Sequence, residues 1–301
     1  MRGGGSTVRS ARLDANPLEA RTAWILGSPR SGSSWLLRML SHHQRVVPID
    51  EPLFGVHLAP LTVNEAHSVH ATRADYCLSA EYEDAWRPPL RTLVLNRIAA
   101  QVDRAARDQE IADPVPVLKE PNSSHAADLI MSLVPRSRLI FLLRDGRDVV
   151  DSMLDAMTRD TWWTTVAGRP DDAGGSGERW RLNTIRDLAR VWLHQTEVVA
   201  QAFGEHDPER RSLVRYEELL AHPVETLGKL LGSLGLGMGS EDLRGVVARQ
   251  SFSAIPPEDR GRGKVFRTAT PGLWREHMTP AEQQLVNELL GEKLEELGYA
   301  T

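Results

Sequence analysis

An α/β fold, one domain with a central parallel sheet flanked by helices, is predicted by two features of the sequence: short apolar runs of strand length, and a loop with a helical pattern after each. The runs are Thr22–Leu26, Val115–Leu118, Arg138–Leu143 and Ser212–Arg215. An unbroken apolar stretch of that length is how a parallel strand covered on both faces reads. The helical patterns that follow span Ser33–His42, Ser124–Leu133, Arg147–Met157 and Pro223–Leu234. Strands alternating with helices build βαβ units.

A further long helix is expected over Leu182–Phe203, where Leu188, Val191, Trp192, Thr196 and Val199 recur at helical spacing. Two segments break the pattern. Asp160–Arg179 holds Trp162, Trp163 and the run Asp171–Gly177, and Ser253–Trp274 is dense in Pro, Gly, Arg and Lys. Both read as long surface loops, a length that compact domains use for lids and binding elements. No repeat or linker divides the chain, so one domain is expected over residues 21–301, preceded by a disordered tail over 1–20.

The 301 residues carry a formal charge of −5, which disfavours a general nucleic-acid binder, so an anion site must be a local cluster. The lone Cys77 has no disulfide partner and no Cys/His cluster has structural-zinc spacing. The segment Met1–Pro17 lacks the apolar stretch of a signal peptide, and no run approaches the ~20 apolar residues of a membrane span. The cytoplasm is the expected compartment.

The chemistry begins at the first strand, Ala23-Trp24-Ile25-Leu26, which runs into Gly27-Ser28-Pro29-Arg30-Ser31-Gly32-Ser33-Ser34-Trp35. Small residues let backbone wrap an anion, and the N–H groups opening the next helix attract it. Gly27 and Gly32 match the first half of a nucleotide-triphosphate P-loop, but Ser33 stands where that motif has lysine, and Arg30 is the loop's cation. Phosphoryl transfer uses that lysine with magnesium. Taken alone, the loop also fits a turn before an N-capped helix. The second stretch, Arg138–Ser152, is a buried strand ending at Arg144, with Ser152 inside the helix that follows. Strand carboxyl ends are where open parallel sheets bind ligands, and an arginine with a hydroxyl can share one phosphate. Alternatively Arg144 pairs with Asp145 or Asp148.

Joined, these stretches resemble the sulfotransferases that use 3′-phosphoadenosine 5′-phosphosulfate (PAPS), from about Thr22 to the C-terminus. A third motif, Arg267-Thr268-Ala269-Thr270-Pro271-Gly272-Leu273-Trp274, is similar to that family's Arg-Lys-Gly-x-x-Gly-x-Trp segment. The resemblance implies a P-loop nucleotide-kinase-like fold. It also implies that Arg30, Ser31, Gly32, Ser33 and Ser34 contact the 5′-phosphosulfate, that Trp35 stacks on adenine, and that Arg144, Ser152 and Arg267 hold the 3′-phosphate. Tyr216 matches a family tyrosine at the nucleotide, and equally reads as a core tyrosine. Thr268 and Ala269 depart from the family's Lys-Gly, and Lys264 is a candidate for the missing charge.

The cytosolic aryl and steroid members carry Lys-x-His, with histidine as base; here Lys119-Glu120-Pro121 puts proline at that position. The tyrosylprotein and carbohydrate 6-O branches, which also share Arg30, have a glutamate after the first helix. Glu51, in Val47-Pro48-Ile49-Asp50-Glu51-Pro52-Leu53, is the matching candidate base, with Asp50 its competitor. Lys119 resembles the lysine of the tyrosylprotein branch and would steady charge on the sulfuryl group and leaving phosphate.

The implied activity is in-line transfer of the sulfuryl group from PAPS to a hydroxyl on a small metabolite, glycan or lipid, without a metal. The implied partners are PAPS and that acceptor, with no nucleic acid and no membrane span; the oligomeric state is open, a homodimer included. A P-loop small-molecule kinase and a non-catalytic nucleotide-binding module are the alternatives. The missing lysine counts against the first, and the joint presence of Glu51 and Lys119 against the second. His42-His43 reads as a helix terminus, His125 as a surface histidine, and Trp162, Trp163 and Trp180 either as an acceptor wall or as packing.

Overall fold

The computed structural model describes residues 16–62, 78–157, 177–261 and 269–300. Five strands, β1 (Ala23–Leu26), β2 (Val46–Asp50), β3 (Val115–Lys119), β4 (Arg138–Leu143) and β5 (Arg211–Arg215), form a sheet in the order β2-β3-β1-β4-β5. Every pairing is parallel. The expected strands are present within a residue of their predicted ends, and β2 is the one the sequence concealed. Its burial alternates only in part and it contains Pro48. Proline cannot donate to a ladder, and β2 tolerates it by lying at the sheet edge with β3 as its partner.

The helices are α1 (Pro17–Arg21), α2 (Ser33–Leu40), α3 (Phe54–Thr62), α4 (Glu83–Gln109), α5 (Ala127–Leu133) and α6 (Gly146–Ala156). They continue as α7 (Glu178–Glu205), α8 (Tyr216–Ala221), α9 (Pro223–Ser233), α10 (Ser240–Arg249), α11 (Trp274–His277) and α12 (Pro280–Glu296). The central strands alternate between two apolar layers, which is why they read as unbroken apolar runs. Trp24, Leu26, Leu118, Leu139, Phe141 and Leu143 pack with α5, α6, α7 and α12 on one face. Ala23, Ile25, Val117, Ile140 and Leu142 pack with α2, α9 and α10 on the other.

Several expectations change. Residues 17–20, expected within the tail, are helical: α1 is capped by the Asn16 side chain and buries Glu19 against Arg91, with an Nη2–Oε2 distance of 2.5 Å. The helix expected over Ser124–Leu133 begins as a 3-10 turn, Pro121–Ala126, before α5. Helix α4 went unpredicted because Pro88 and Pro89, which normally break a helix, fall inside it. Helix α7 starts at Glu178, so it absorbs the end of the expected 160–179 loop; Trp162 and Trp163 lie outside the described residues, as does Cys77. Trp180 packs against the larger core layer. No helix among the described residues is long and apolar enough to cross a membrane.

Candidate active site at the carboxyl ends of the strands

Strand β1 lies between β3 and β4, so the chain leaves it toward one side of the sheet and later returns on the other. Such a reversal opens a crevice beyond the strand ends. The loop after β1 sits there, with the end of β3 on one side and the end of β4 on the other. Its glycines have specific reasons. Gly27 has φ of 148°, and a Cβ there would lie 2.1 Å from the Leu142 carbonyl oxygen; Gly32 has φ of 94°, and a Cβ would lie 2.6 Å from the Tyr216 ring. The Ser124 hydroxyl pins the loop's start, accepting from Gly27 N and lying within 2.8 Å of Gly27 O. Gly32 caps α2 without any side-chain bond, leaving the opening N–H groups of that helix to meet an anion.

Three side chains from separate elements meet at this loop. Arg30 donates from Nε to Ser152 Oγ of α6 at 3.0 Å, and Arg144 at the end of β4 donates from Nη1 to the Arg30 carbonyl at 2.8 Å. The Arg144 guanidinium lies 4.3 Å over the Tyr216 ring, and Trp35 meets that ring edge-on at 6.2 Å. Burial pushes the Tyr216 hydroxyl above its ordinary range, with nearby Arg144 pulling the other way. Trp35 is fixed in turn by its Nε1–H, which donates to Gln250 O at 2.7 Å.

These residues enclose a cavity of about 430 Å³. Arg30, Gly32, Ser33, Ser34 and Trp35 wall it from the first loop and α2, and Arg144, Ser152 and Tyr216 from the later strand ends. Ser31 is 1 % exposed and is not among the residues that wall the cavity, and its buried Oγ has no partner among the described residues. Arg267 and Lys264 lie outside the described residues, but Ala269, Thr270 and Leu273 of the third motif do line the cavity. Gln250 and Phe252 also line it and had no sequence signal, since the turn that carries them is brought in by tertiary packing.

The basic turn Arg144-Asp145-Gly146-Arg147-Asp148 divides its labour. Arg147 is 2 % exposed and wholly engaged, bonding the N-cap Asp145, Asn287 Oδ1 of α12 and the Ala300 carbonyl. Asp145 gives its carboxylate to Arg147, and the buried Nε of Arg144 has no partner among the described residues. A buried N–H without an acceptor is rare and calls for an explanation.

A second cluster stands beside the cavity, joined to it through Ser34. Lys119, at the end of β3, donates to Ser34 Oγ at 3.0 Å and pairs with Asp50 at 2.6 Å and Glu51 Oε1 at 2.8 Å. Asn122, which belongs to no motif in the sequence, donates to Glu51 Oε2 at 2.6 Å. Glu51 follows the last residue of β2, and its N–H bonds the Lys119 carbonyl. Both Glu51 and Leu53 have left-handed backbone, φ 45° and 62°, a strained turn of the sort that surrounding contacts must hold. Glu120 supplies one hold by accepting from Phe54 N at 3.0 Å. Burial pushes the Glu120 carboxyl above its ordinary range.

The histidines singled out in the sequence sit in structural surroundings. His43 bonds the Gly237 carbonyl and His42 meets Gln250. Burial lowers the half-buried His125 below its ordinary range. Among the described residues no group of His, Cys, Asp and Glu is arranged to hold a metal ion.

Residues 23–239 match the sulfotransferase family, and the chain belongs to it. It is 24 % identical to the nodulation protein NoeE of Sinorhizobium fredii over 95 % of this chain and 67 % of that protein. Against the protein-tyrosine sulfotransferase of Drosophila melanogaster it is 26 % identical over 40 % of this chain, spanning 21 % of that longer protein. Among solved structures it is similar to sulfotransferase STF9 from Mycobacterium avium, with a TM-score of 0.55 and 14 % identity over 95 % of this chain and 78 % of that one. Mouse sulfotransferase SULT7A1, solved with PAP, aligns with a TM-score of 0.52 and 14 % identity over 92 % of this chain and 85 % of that one. The fold is that of these sulfotransferases.

Proposed function

We propose that this chain moves the sulfuryl group of PAPS to a hydroxyl acceptor, with Glu51 as the base. The observation that carries the reading is one constellation. A cavity walled by Arg30, Arg144 and Ser152 adjoins, through Ser34, a carboxylate held by Lys119 and Asn122. The residues present fit a nucleotide phosphorylated at both ends: the cavity opens on the α2 N-terminus, and the buried Arg144 Nε lacks, among the described residues, an acceptor that a phosphate oxygen would supply.

PAPS brings an activated sulfuryl group and a bisphosphate that leaves well. Arg30 and the first N–H groups of α2 take the 5′ end; Arg144 and Ser152 take the 3′-phosphate; Trp35 offers its face to adenine. Glu51 removes the acceptor proton as the oxygen attacks sulfur, and its two holding contacts keep its carboxylate aimed while bond-making proceeds. Lys119 and Arg30 steady the charge that grows on the departing phosphate, which makes a metal unnecessary in this reading. Gly32→Ala is expected to weaken binding of adenosine 3′,5′-bisphosphate by about tenfold, since left-handed backbone at a non-glycine residue costs ~1–3 kcal/mol and the new Cβ displaces Tyr216. Titration calorimetry reads it, and undiminished affinity would detach Tyr216 from the donor.

The acceptor is a small metabolite, glycan or lipid hydroxyl, and a panel of such acceptors with labelled PAPS tests the whole reading. Label transfer to one of them, with magnesium-independent binding of adenosine 3′,5′-bisphosphate, supports it. Magnesium-dependent ATP binding in place of the bisphosphate would make the chain a small-molecule kinase, and bisphosphate binding with no transfer a binding module.

A further inference from the structure

Asp148 is a buried carboxylate lining the cavity, and neither its charge nor its place is used by the reaction just described. A carboxylate facing a cavity built for phosphates repels the ligand, so its presence there needs a physical reason. The reason lies in what its two oxygens hold. Oδ2 accepts from Gly272 N at 2.7 Å and Oδ1 from Trp274 N at 3.4 Å, so one carboxylate grips two backbone donors of a single turn. Gly272 has φ of 84°, a left-handed bend that aims its N–H at α6. Beneath the turn, Trp274 is buried, with the Arg147 guanidinium 4.7 Å over its ring. About one helical turn on, Asp151 meets His277 Nδ1 at 2.9 Å, adding a second fastening from the same face of α6 to the same segment.

That segment contributes Ala269, Thr270 and Leu273 to the cavity wall beside Asp148, Asp151 and Ser152. Resting on the PAPS reading above, we propose that Asp148 is a positioning residue that clamps the 269–274 turn onto α6, so that the turn forms the wall of the 3′-phosphate end of the donor site. Burial pushes the Asp148 carboxyl up from its ordinary range, while Arg144 and the two backbone donors pull it down. Arg144 thereby joins the clamp to the predicted phosphate grip.

The test compares two nucleotides that differ only in the 3′-phosphate: adenosine 3′,5′-bisphosphate and adenosine 5′-phosphate. Asp148→Asn keeps the shape but sets an amide N–H against one of the two backbone donors. The expected result is a loss of about tenfold in affinity for the bisphosphate, the scale of one buried donor left without an acceptor, with affinity for the 5′-phosphate unchanged. A general structural role would lower both equally, and that outcome, or no change in either, overturns the proposal. Gly272→Ala attacks the same turn from its other side and is expected to give the same selective loss, which keeps the idea testable should Asp148→Asn misfold. Arg144→Ala marks the 3′-phosphate end independently. If it fails to discriminate between the two nucleotides, the donor reading itself is wrong; if it discriminates and the Asp148 and Gly272 variants do not, only the clamp is.

Discussion

Glu51→Gln abolishes turnover while leaving nucleotide binding intact: sulfuryl transfer falls by about a hundred- to ten-thousandfold, the usual contribution of a positioned general base. The substitution preserves size and keeps an oxygen for the Asn122 amide to meet, so the strained turn at residues 51–53 is not the thing being tested. What disappears is the capacity to accept a proton, together with the ion pair to Lys119. Because Glu51 is not part of the donor cavity wall, affinity for adenosine 3′,5′-bisphosphate stays at the unaltered value. Single-turnover rates with saturating PAPS, beside calorimetry with the bisphosphate, separate the two effects. Transfer at the normal rate would take the base role from Glu51 and hand it to Asp50, which shares Lys119 but is more exposed, its side chain 65 % accessible against 30 % for Glu51.

Arg144→Ala does the reverse, weakening the bisphosphate by about ten- to a hundredfold, as expected from ~1.5–3 kcal/mol for each hydrogen bond to a charged group. Its guanidinium spans the Arg30 carbonyl and the Tyr216 ring, so removal also loosens the loop and the aromatic wall. Arg147→Ala, three residues away, is the informative contrast. That arginine is spent on Asp145, Asn287 and the Ala300 carbonyl, so its loss lowers the urea midpoint of unfolding. Equal effects of the two substitutions on bisphosphate affinity would move the 3′-phosphate away from β4.

Much of this site was legible because its parts are local. The strand, tight loop and helix from Ala23 to Leu40 are a contiguous pattern in which Gly27 and Gly32 stand where backbone sterics demand glycine. Strand β4 and the start of α6 are equally continuous. Strand β2 and helix α4 were illegible for the opposite reason: Pro48, Pro88 and Pro89 carry a local signal against regular structure. An edge position in the sheet overrides that signal in β2.

The sequence by itself determined the α/β class, the glycine-bearing loop between β1 and α2, and the residue types able to hold anions and move a proton. Tertiary structure alone decided which of them act together. It gave Arg147 to the C-terminal region and left Arg144 at the cavity, set Asn122 and Lys119 on the two oxygens of Glu51, turned Ser31 inward, and put Asp148 under the third motif. The physical reason is range. Backbone conformation and apolar periodicity are fixed by neighbours a few residues apart, whereas the partner of a buried charge is chosen by whichever distant segment the packed sheet brings within hydrogen-bonding distance.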